Sequence, residues 1–211
     1  MIRTFPLNLN IKDRHCLVVG GGTVAKRKVL SLLDCGAKVY IVSPTLVWEL
    51  KELVEQVMVE WIDRHYHVSD LQSKFVVISA TDDDYINDRV ARDCSERDIL
   101  VNVVDNAELS TFIMPATVRQ GDLTIAVSTN GNSPLLAAKL CQQFRKDFGP
   151  EYAEFLEILG NLRQEVLANV SNPEQRLAIF ASLVESDLLQ LLKDKDETKV
   201  KERIDECISL R

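Results

Sequence analysis

No stretch of this 211-residue chain approaches about 18 consecutive apolar residues, so no membrane-crossing helix is expected. The first ten residues lack the apolar core of a secretory signal peptide, and none is expected. Cysteine is sparse and scattered: Cys16, Cys35, Cys94, Cys141 and Cys207, with no CxxC pair. That pattern gives neither a zinc site nor a disulfide framework, and it reads as reduced thiols in a cytoplasmic protein. No G-x-S-x-G, HExxH or Walker sequence occurs. Positive charge is in deficit, with 25 Lys and Arg against 32 Asp and Glu and a net charge of −7. A chain so balanced is poorly suited to wrapping nucleic acid or to a polybasic membrane surface. There is no internal repeat and no low-complexity tract. At 46% hydrophobic and 27% charged, the composition is that of an ordinary globular protein of one large or two small domains.

The charge is unevenly spread. Residues 1–48 carry seven bases against two acids, and residues 110–150 four against two. The excess acid lies in residues 49–109 and 151–211. An anionic ligand is therefore expected on the first and third stretches.

Short apolar runs alternate with helical patterns in the first half. His15–Val19, Lys38–Val42, Val57–Ile62, Phe75–Ala80 and Ile99–Val104 read as strands. Helices are expected over Thr23–Cys35, Leu46–Gln56 and Tyr85–Arg97. This alternation predicts an α/β domain with a parallel sheet covered on both faces. The pattern changes near residue 110. Phe112–Gln120 and Leu123–Ser128 read as a strand pair joined at Gly121-Asp122, and Ser133-Pro134 opens a helix. From Pro150 the chain reads as helical, with Pro173 starting one helix and Asp194–Arg211 forming the last. The expected domains are 1–111, a Rossmann-like dinucleotide-binding domain, 112–149, a small α+β segment, and 150–211, a helical region.

The sharpest local signal is Val18-Val19-Gly20-Gly21-Gly22-Thr23-Val24-Ala25, which fits G-x-G-x-x-G/A through Gly20, Gly22 and Ala25. Glycines permit a tight turn and close approach of backbone to a pyrophosphate, and the helix from Thr23 aims its free N–H groups at the phosphates. The strand before it and the helix after it are the context this motif needs. The position that would read the ribose, at the end of the second strand, holds Ser43-Pro44 and no carboxylate, so NAD against NADP stays open there. Lys26-Arg27-Lys28 reads as a solvated helix face in at least two of its three positions.

Three further constellations fall at strand ends. Ala80 and Thr81 fall where an open sheet presents ligand-facing loops, while Asp82-Asp83-Asp84 fits a helix N-terminus better than a cation site. Asp105 ends Val101-Asn102-Val103-Val104, where a carboxylate could serve as a base or simply start a turn. Ser128-Thr129-Asn130 precedes the Ser133 cap and offers hydroxyl and amide groups to an anion. His65 and His67, two apart, make no metal site, and His15 reads as structural.

Taken in order, these motifs, with Phe112-Ile113-x-Pro115-Ala116 and Leu123–Pro134, resemble precorrin-2 dehydrogenase of sirohaem synthesis, including the dehydrogenase/ferrochelatase module of sirohaem synthases. The resemblance covers roughly residues 5–148. It implies NAD-dependent oxidation of precorrin-2 to sirohydrochlorin and, in some members, insertion of Fe²⁺ as a substrate metal, with no resident metal site. It implies a homodimer intertwined through the segment after the nucleotide domain. It matches the family's key aspartate to Asp105, and a serine phosphorylated in some members to Ser128. The expected cofactor contacts are Gly20, Gly21, Gly22, Thr23, Val24, Ser43, Pro44, Ala80, Thr81, Asn102 and Val104. Ser128, Asn130 and Arg119 are the expected substrate contacts, with Lys139, Arg145 and Lys146 candidates by charge alone. A methyltransferase module is not expected in a chain of this length. The rival readings are a chelatase that needs no dinucleotide and a non-enzymatic protein that binds NAD or tetrapyrrole.

Overall fold

A computed structural model describes residues 4–209. The chain divides into two compact units, Met1–Met114 and Pro115–Arg211.

The first unit is a five-stranded parallel sheet. Its strands are β1 (His15–Val19), β2 (Lys38–Val42), β3 (Val59–Ile62), β4 (Val76–Ser79) and β5 (Leu100–Val103), in the order β3-β2-β1-β4-β5. Helices α1 (Thr23–Leu33), α2 (Trp48–Glu55) and α3 (Asp84–Ser95) make the crossovers, with a 3-10 turn at Val68–Leu71 between β3 and β4. The strands read as unbroken apolar runs because both faces are covered. On one face Cys16, Val18, Ile41 and Ile78 pack against Ala25, Val29 and Leu32 of α1 and Leu50 of α2. On the other, Leu17, Val19, Val77, Val101 and Val103 pack against Val90, Ala91 and Cys94 of α3. The chain turns back at β1, leaving through α1 to β2 on one side and returning to β4 on the other. In an open sheet this switch point is where a crevice opens at the carboxyl ends of the strands.

The strand expected from Phe112 begins only at Ala116. Phe112 and Met114 instead pack onto the sheet face beside α1. The chain before them seals the open edge of β5 with hydroxyl groups. Val101 N–H donates to Thr111 Oγ1 at 2.8 Å and Val103 N–H to Ser110 Oγ at 2.9 Å, while Thr111 N–H returns a bond to Val101 O at 2.8 Å. The edge amides are thus satisfied without a sixth strand.

In the second unit, β6 (Ala116–Gln120) and β7 (Leu123–Val127) form an antiparallel hairpin around Gly121-Asp122, as expected. Gly121 sits at φ +55°, and a Cβ there would lie 2.8 Å from Ala153 Cβ, so only glycine fits. Helix α4 (Pro134–Asp147) follows, then α5 (Glu151–Asn169), α6 (Pro173–Glu185), α7 (Leu188–Lys193) and α8 (Glu197–Ile208). Their core joins Phe155, Leu162 and Val166 to Ile179, Leu183, Leu188, Val200 and Cys207. The terminal helix expected from Asp194 begins at Glu197. Lys195 takes φ +58°, and Asp196 caps a new helix through Lys199 N–H at 3.2 Å.

Candidate functional site

Four loops meet at the carboxyl ends of β1, β2, β4 and β5. The glycine loop leaves β1, and its conformation fixes what each glycine does. Gly20 lies at φ +121°, and a Cβ there would lie 2.3 Å from Ala80 O. Gly21 is seated on the β2 loop: a Cβ would lie 1.9 Å from Thr45 O and 2.8 Å from Ser43 Oγ. Val47 N–H donates to Gly21 O at 2.8 Å. Gly22 differs, since nothing stands within 4 Å of its would-be Cβ. It is the N-cap of α1, and it supplies no side-chain cap to that helix.

Of the helices that follow these loops, α1 and α2 both lack a side-chain cap, but α2 carries Glu49 in its first turn and α1 carries no acid there. At α3, Asp83 accepts from Ile86 N–H at 3.2 Å, which uses the aspartate run as a helix cap. α1 has no acidic residue in its first turn, so its amides and its positive dipole end face the open space over Gly22. That space and those donors fit a dinucleotide pyrophosphate. Thr23 and Val24 supply the first helical amides, with Thr23 exposed and Val24 half-buried.

Ser43 is buried, and its hydroxyl donates to Thr45 O at 2.7 Å, leaving its oxygen free to accept. Trp61 Nε1–H donates to Ser43 O at 2.8 Å and holds the loop, and Pro44 beside it is exposed. At the end of β4, Ala80 N–H binds Val19 O at 2.8 Å, which keeps Ala80 against Gly20. Thr81 O accepts from Asn87 Nδ2, whose Oδ1 accepts from Ser79 Oγ in the interior.

At the end of β5, Val104 N–H binds Ser79 O at 2.9 Å, and Asn102 Nδ2 donates to Phe112 O at 3.1 Å. Asp105 follows at φ +60°, exposed, in a turn closed by Asn106 N–H to Val103 O at 3.2 Å. Asp and Asn take this left-handed conformation more readily than other non-glycine residues. The turn therefore suits an aspartate, and it also sets the carboxylate at the sheet's ligand end.

Of the basic triplet on α1, only Arg27 is fully solvated. Lys26 Nζ is 2.7 Å from Glu49 Oε1 of α2, and Lys28 is half-buried with Nζ 3.4 Å from Met114 Sδ. The expectation that at least two of the three are solvated is thus corrected. Met114 lies 86 residues downstream, and pairing over that distance leaves no local trace. Sequence reasoning also missed Thr45 and Val47, which hold Gly21. His67 caps the 3-10 turn, its Nδ1 accepting from Ser69 N–H at 3.3 Å. His15 rests on Tyr40, ring centroids 5.4 Å apart.

Ser128, Asn130 and Arg119 belong to the second unit. Ser128 Oγ accepts from Asn130 N–H at 3.2 Å, and Asn130 and Gly131 both have positive φ. Arg119 is exposed on β6 opposite Thr124.

Fold and loop together define a dinucleotide-binding domain of the Rossmann type. The chain belongs to the family described as "Putative NAD(P)-binding", whose model matches residues 7–116. A second family model, described as "Sirohaem biosynthesis protein central", matches residues 120–144. Among similar proteins, a siroheme synthase of Thioalkalivibrio sulfidiphilus is 36% identical over 97% of this chain and 42% of its own length. One from Mannheimia succiniciproducens is 33% identical over 95% of this chain and 42% of its own. The chain thus spans about two fifths of the length of these curated relatives. The structure of SirC, a precorrin-2 dehydrogenase, superposes with a TM-score of 0.80 at 24% identity, covering 97% of this chain and 98% of that one. It shares the fold.

Proposed function

We propose that this chain catalyses the NAD-dependent dehydrogenation of precorrin-2 to sirohydrochlorin in sirohaem synthesis. One observation carries the reading. An uncapped, glycine-lined helix terminus and the strand-end aspartate Asp105 open on the same end of one sheet. The similarity to siroheme synthases over nearly the whole chain supports the choice of substrate.

In this reading the pyrophosphate lies on Gly20, Gly21, Gly22, Thr23 and Val24, and the adenosine ribose lies against Ser43 and Pro44. Ala80, Thr81, Asn102 and Val104 line the rest of the path. Bound NAD⁺ supplies the hydride acceptor. Asp105 takes the proton released with the hydride, the work expected of a carboxylate at the reacting end of the cofactor. Ser128, Asn130 and Arg119 receive the carboxylates of the tetrapyrrole, and Fe²⁺, where inserted, is a substrate.

The chain acts as a homodimer through segment 112–149, with 150–211 as a helical domain. Leu135, Leu136 and Leu140 leave an exposed apolar row along α4, and each strand of the two-stranded sheet has an unpaired edge, features that a second copy would cover. Its five free thiols suit the cytoplasm.

Anaerobic incubation of precorrin-2 with NAD⁺, followed by absorbance, tests the proposal. Sirohydrochlorin is expected, and Asp105→Ala abolishes its formation. NAD⁺ binding without turnover would leave a binding protein, and a fully active Asp105→Ala would remove the aspartate from the chemistry. Adding Fe²⁺ or Co²⁺ to the same assay reads metal insertion.

A further inference from the structure

In a dinucleotide domain of this type an acid at the end of the second strand reads the adenosine ribose. Here that place holds Ser43, whose proton is spent on Thr45 O at 2.7 Å, so its oxygen can accept from one hydroxyl only. A ribose presents two. The carboxylate missing from β2 stands on the neighbouring strand. β2 and β3 pair in parallel up to Val42 and Ile62. Ser43 N–H carries that ladder one step further, donating to Ile62 O at 3.3 Å. The next residue after β3 is Asp63, whose backbone therefore lies beside Ser43, about 4.8 Å away across the ladder. The same Ile62 carbonyl accepts from Arg64 N–H at 2.9 Å, closing a three-residue γ-turn with Asp63 at its apex. Trp61 Nε1–H donates to Ser43 O at 2.8 Å and ties the two strand ends together again. Asp63 is exposed, and among the described residues it makes no hydrogen bond and no ion pair through its side chain.

Arg64, the base beside it, is held elsewhere. Its Nη1 and Nη2 engage the two carboxylate oxygens of Asp70, at 2.9 and 2.5 Å, and Nη1 also reaches His65 O at 2.9 Å. Asp70 is buried, and His67 N–H donates to it at 2.8 Å. A guanidinium so engaged is not offered to a phosphate. The end of β3 thus presents a free carboxylate and withholds its arginine. That arrangement admits a 2′-hydroxyl and rejects a 2′-phosphate.

We propose that Asp63 is the ribose-reading carboxylate of this domain: it accepts from the 2′-hydroxyl of NAD and repels the 2′-phosphate of NADP, while Asp70 keeps Arg64 from that phosphate. The proposal rests on the cofactor path argued above, in which the adenosine ribose lies at Ser43.

The test is calorimetric titration of the full chain with NAD⁺, NADP⁺ and an NAD⁺ analogue lacking the adenosine 2′-hydroxyl. The wild type binds NAD⁺ tightest. Asp63→Asn keeps an acceptor and loses the charge, so NADP⁺ binds about tenfold more tightly, as expected for charges a few ångströms apart near a surface. NAD⁺ affinity stays within about threefold in that variant. Asp63→Ala weakens NAD⁺ by about tenfold, the loss of a hydrogen bond to a charged group, and leaves affinity for the analogue unmoved. Arg64→Ala leaves NADP⁺ affinity unmoved. Glu52→Gln, which removes an exposed charge from α2, changes neither dinucleotide. Thermal melts without ligand report the folding of each variant. An NADP⁺ affinity unmoved by Asp63→Asn, or raised equally by Glu52→Gln, overturns the proposal. So does an Asp63→Ala variant that loses the analogue as much as it loses NAD⁺, or an Arg64→Ala variant that loses NADP⁺. NAD⁺ binding with an unmoved preference removes Asp63 alone, whereas a wild type that binds neither dinucleotide overturns the cofactor path with it.

Discussion

Replacing Gly22 by Asp should stabilise the empty protein and destroy dinucleotide binding, two effects of opposite sign from one side chain. Gly22 is the N-cap of α1, and its would-be Cβ meets nothing within 4 Å. An aspartate therefore fits without strain and can accept from the free amides of the first turn. The gain over glycine is a few tenths of a kcal/mol for the cap, plus about 0.3–1 kcal/mol from the helix dipole. Together they raise the melting temperature of the apo protein by roughly 2–4 °C. The same carboxylate occupies the space proposed for the pyrophosphate. Two like charges about 4 Å apart repel by about 4 kcal/mol at an effective dielectric of about 20. That loss corresponds to about three decades of affinity. Differential scanning calorimetry with and without NAD⁺, and calorimetric titration with NAD⁺, measure both effects. The wild type should melt higher with NAD⁺, and the variant should melt at one temperature in either condition. A lowered apo melting temperature would show that Gly22 has a packing role. An NAD⁺ affinity within about threefold of wild type would remove the loop from the phosphate site.

Three further outcomes are expected. Asp105→Asn keeps the left-handed turn at φ +60°, so its melting temperature and NAD⁺ affinity stay at wild-type values while kcat falls by about 10²-fold or more; full turnover would refute the assignment of Asp105. Ser110→Ala and Thr111→Val each strip a partner from an amide on the edge of β5, costing about 1–2 kcal/mol in urea unfolding, and a cost near zero would mean that water replaces the hydroxyl. Burial raises the Asp70 carboxyl, but hydrogen bonds from Arg64 and from His67 N–H outweigh it and leave the group below the ordinary carboxylate value of 3.8. A depressed carboxyl contributes stability above that value and loses it as pH falls through the depressed one. Denaturant midpoints of the wild type should therefore drop on acidification through that range more steeply than those of Asp70→Asn, and parallel curves would exclude the linkage.

The sheet was readable because its strands are covered on both faces. His15–Val19 and Lys38–Val42 carry an unbroken signal wherever a parallel core demands it. The glycine loop was readable because its glycines answer to local backbone needs, at φ +121° for Gly20 and in the close approach of Thr45 O to Gly21. The rest depends on partners far along the chain. Phe112 reads as the start of a strand, yet it packs onto the α1 face because Ser110 and Thr111 are used to close β5. Lys28 reads as solvated helix surface, yet Met114 covers it. Lys195 gives no warning of the positive φ that delays the start of the last helix to Glu197.

The charge distribution also means something different once the residues are placed. Residues 1–48 are rich in bases, which made them the natural holder of an anion. The fold does not pool those bases at the loop. Lys12 precedes β1 and Lys38 begins β2, at the amino ends of the strands, away from the ligand edge. Arg14 lies over the Phe75 ring at 4.1 Å, and Lys26 is neutralised by Glu49. Lys28 is half-buried against Met114, and Arg27 is exposed on α1. In the proposed reading the receptor for a pyrophosphate is the backbone itself, the amides of α1 that no side chain caps, with roughly half a positive charge at the helix end. A receptor made of backbone needs glycines where the chain must come close and nothing where the ligand must sit, which is the division of labour among Gly20, Gly21 and Gly22. In that reading, a chain with a net charge of −7 offers its anion site through the backbone.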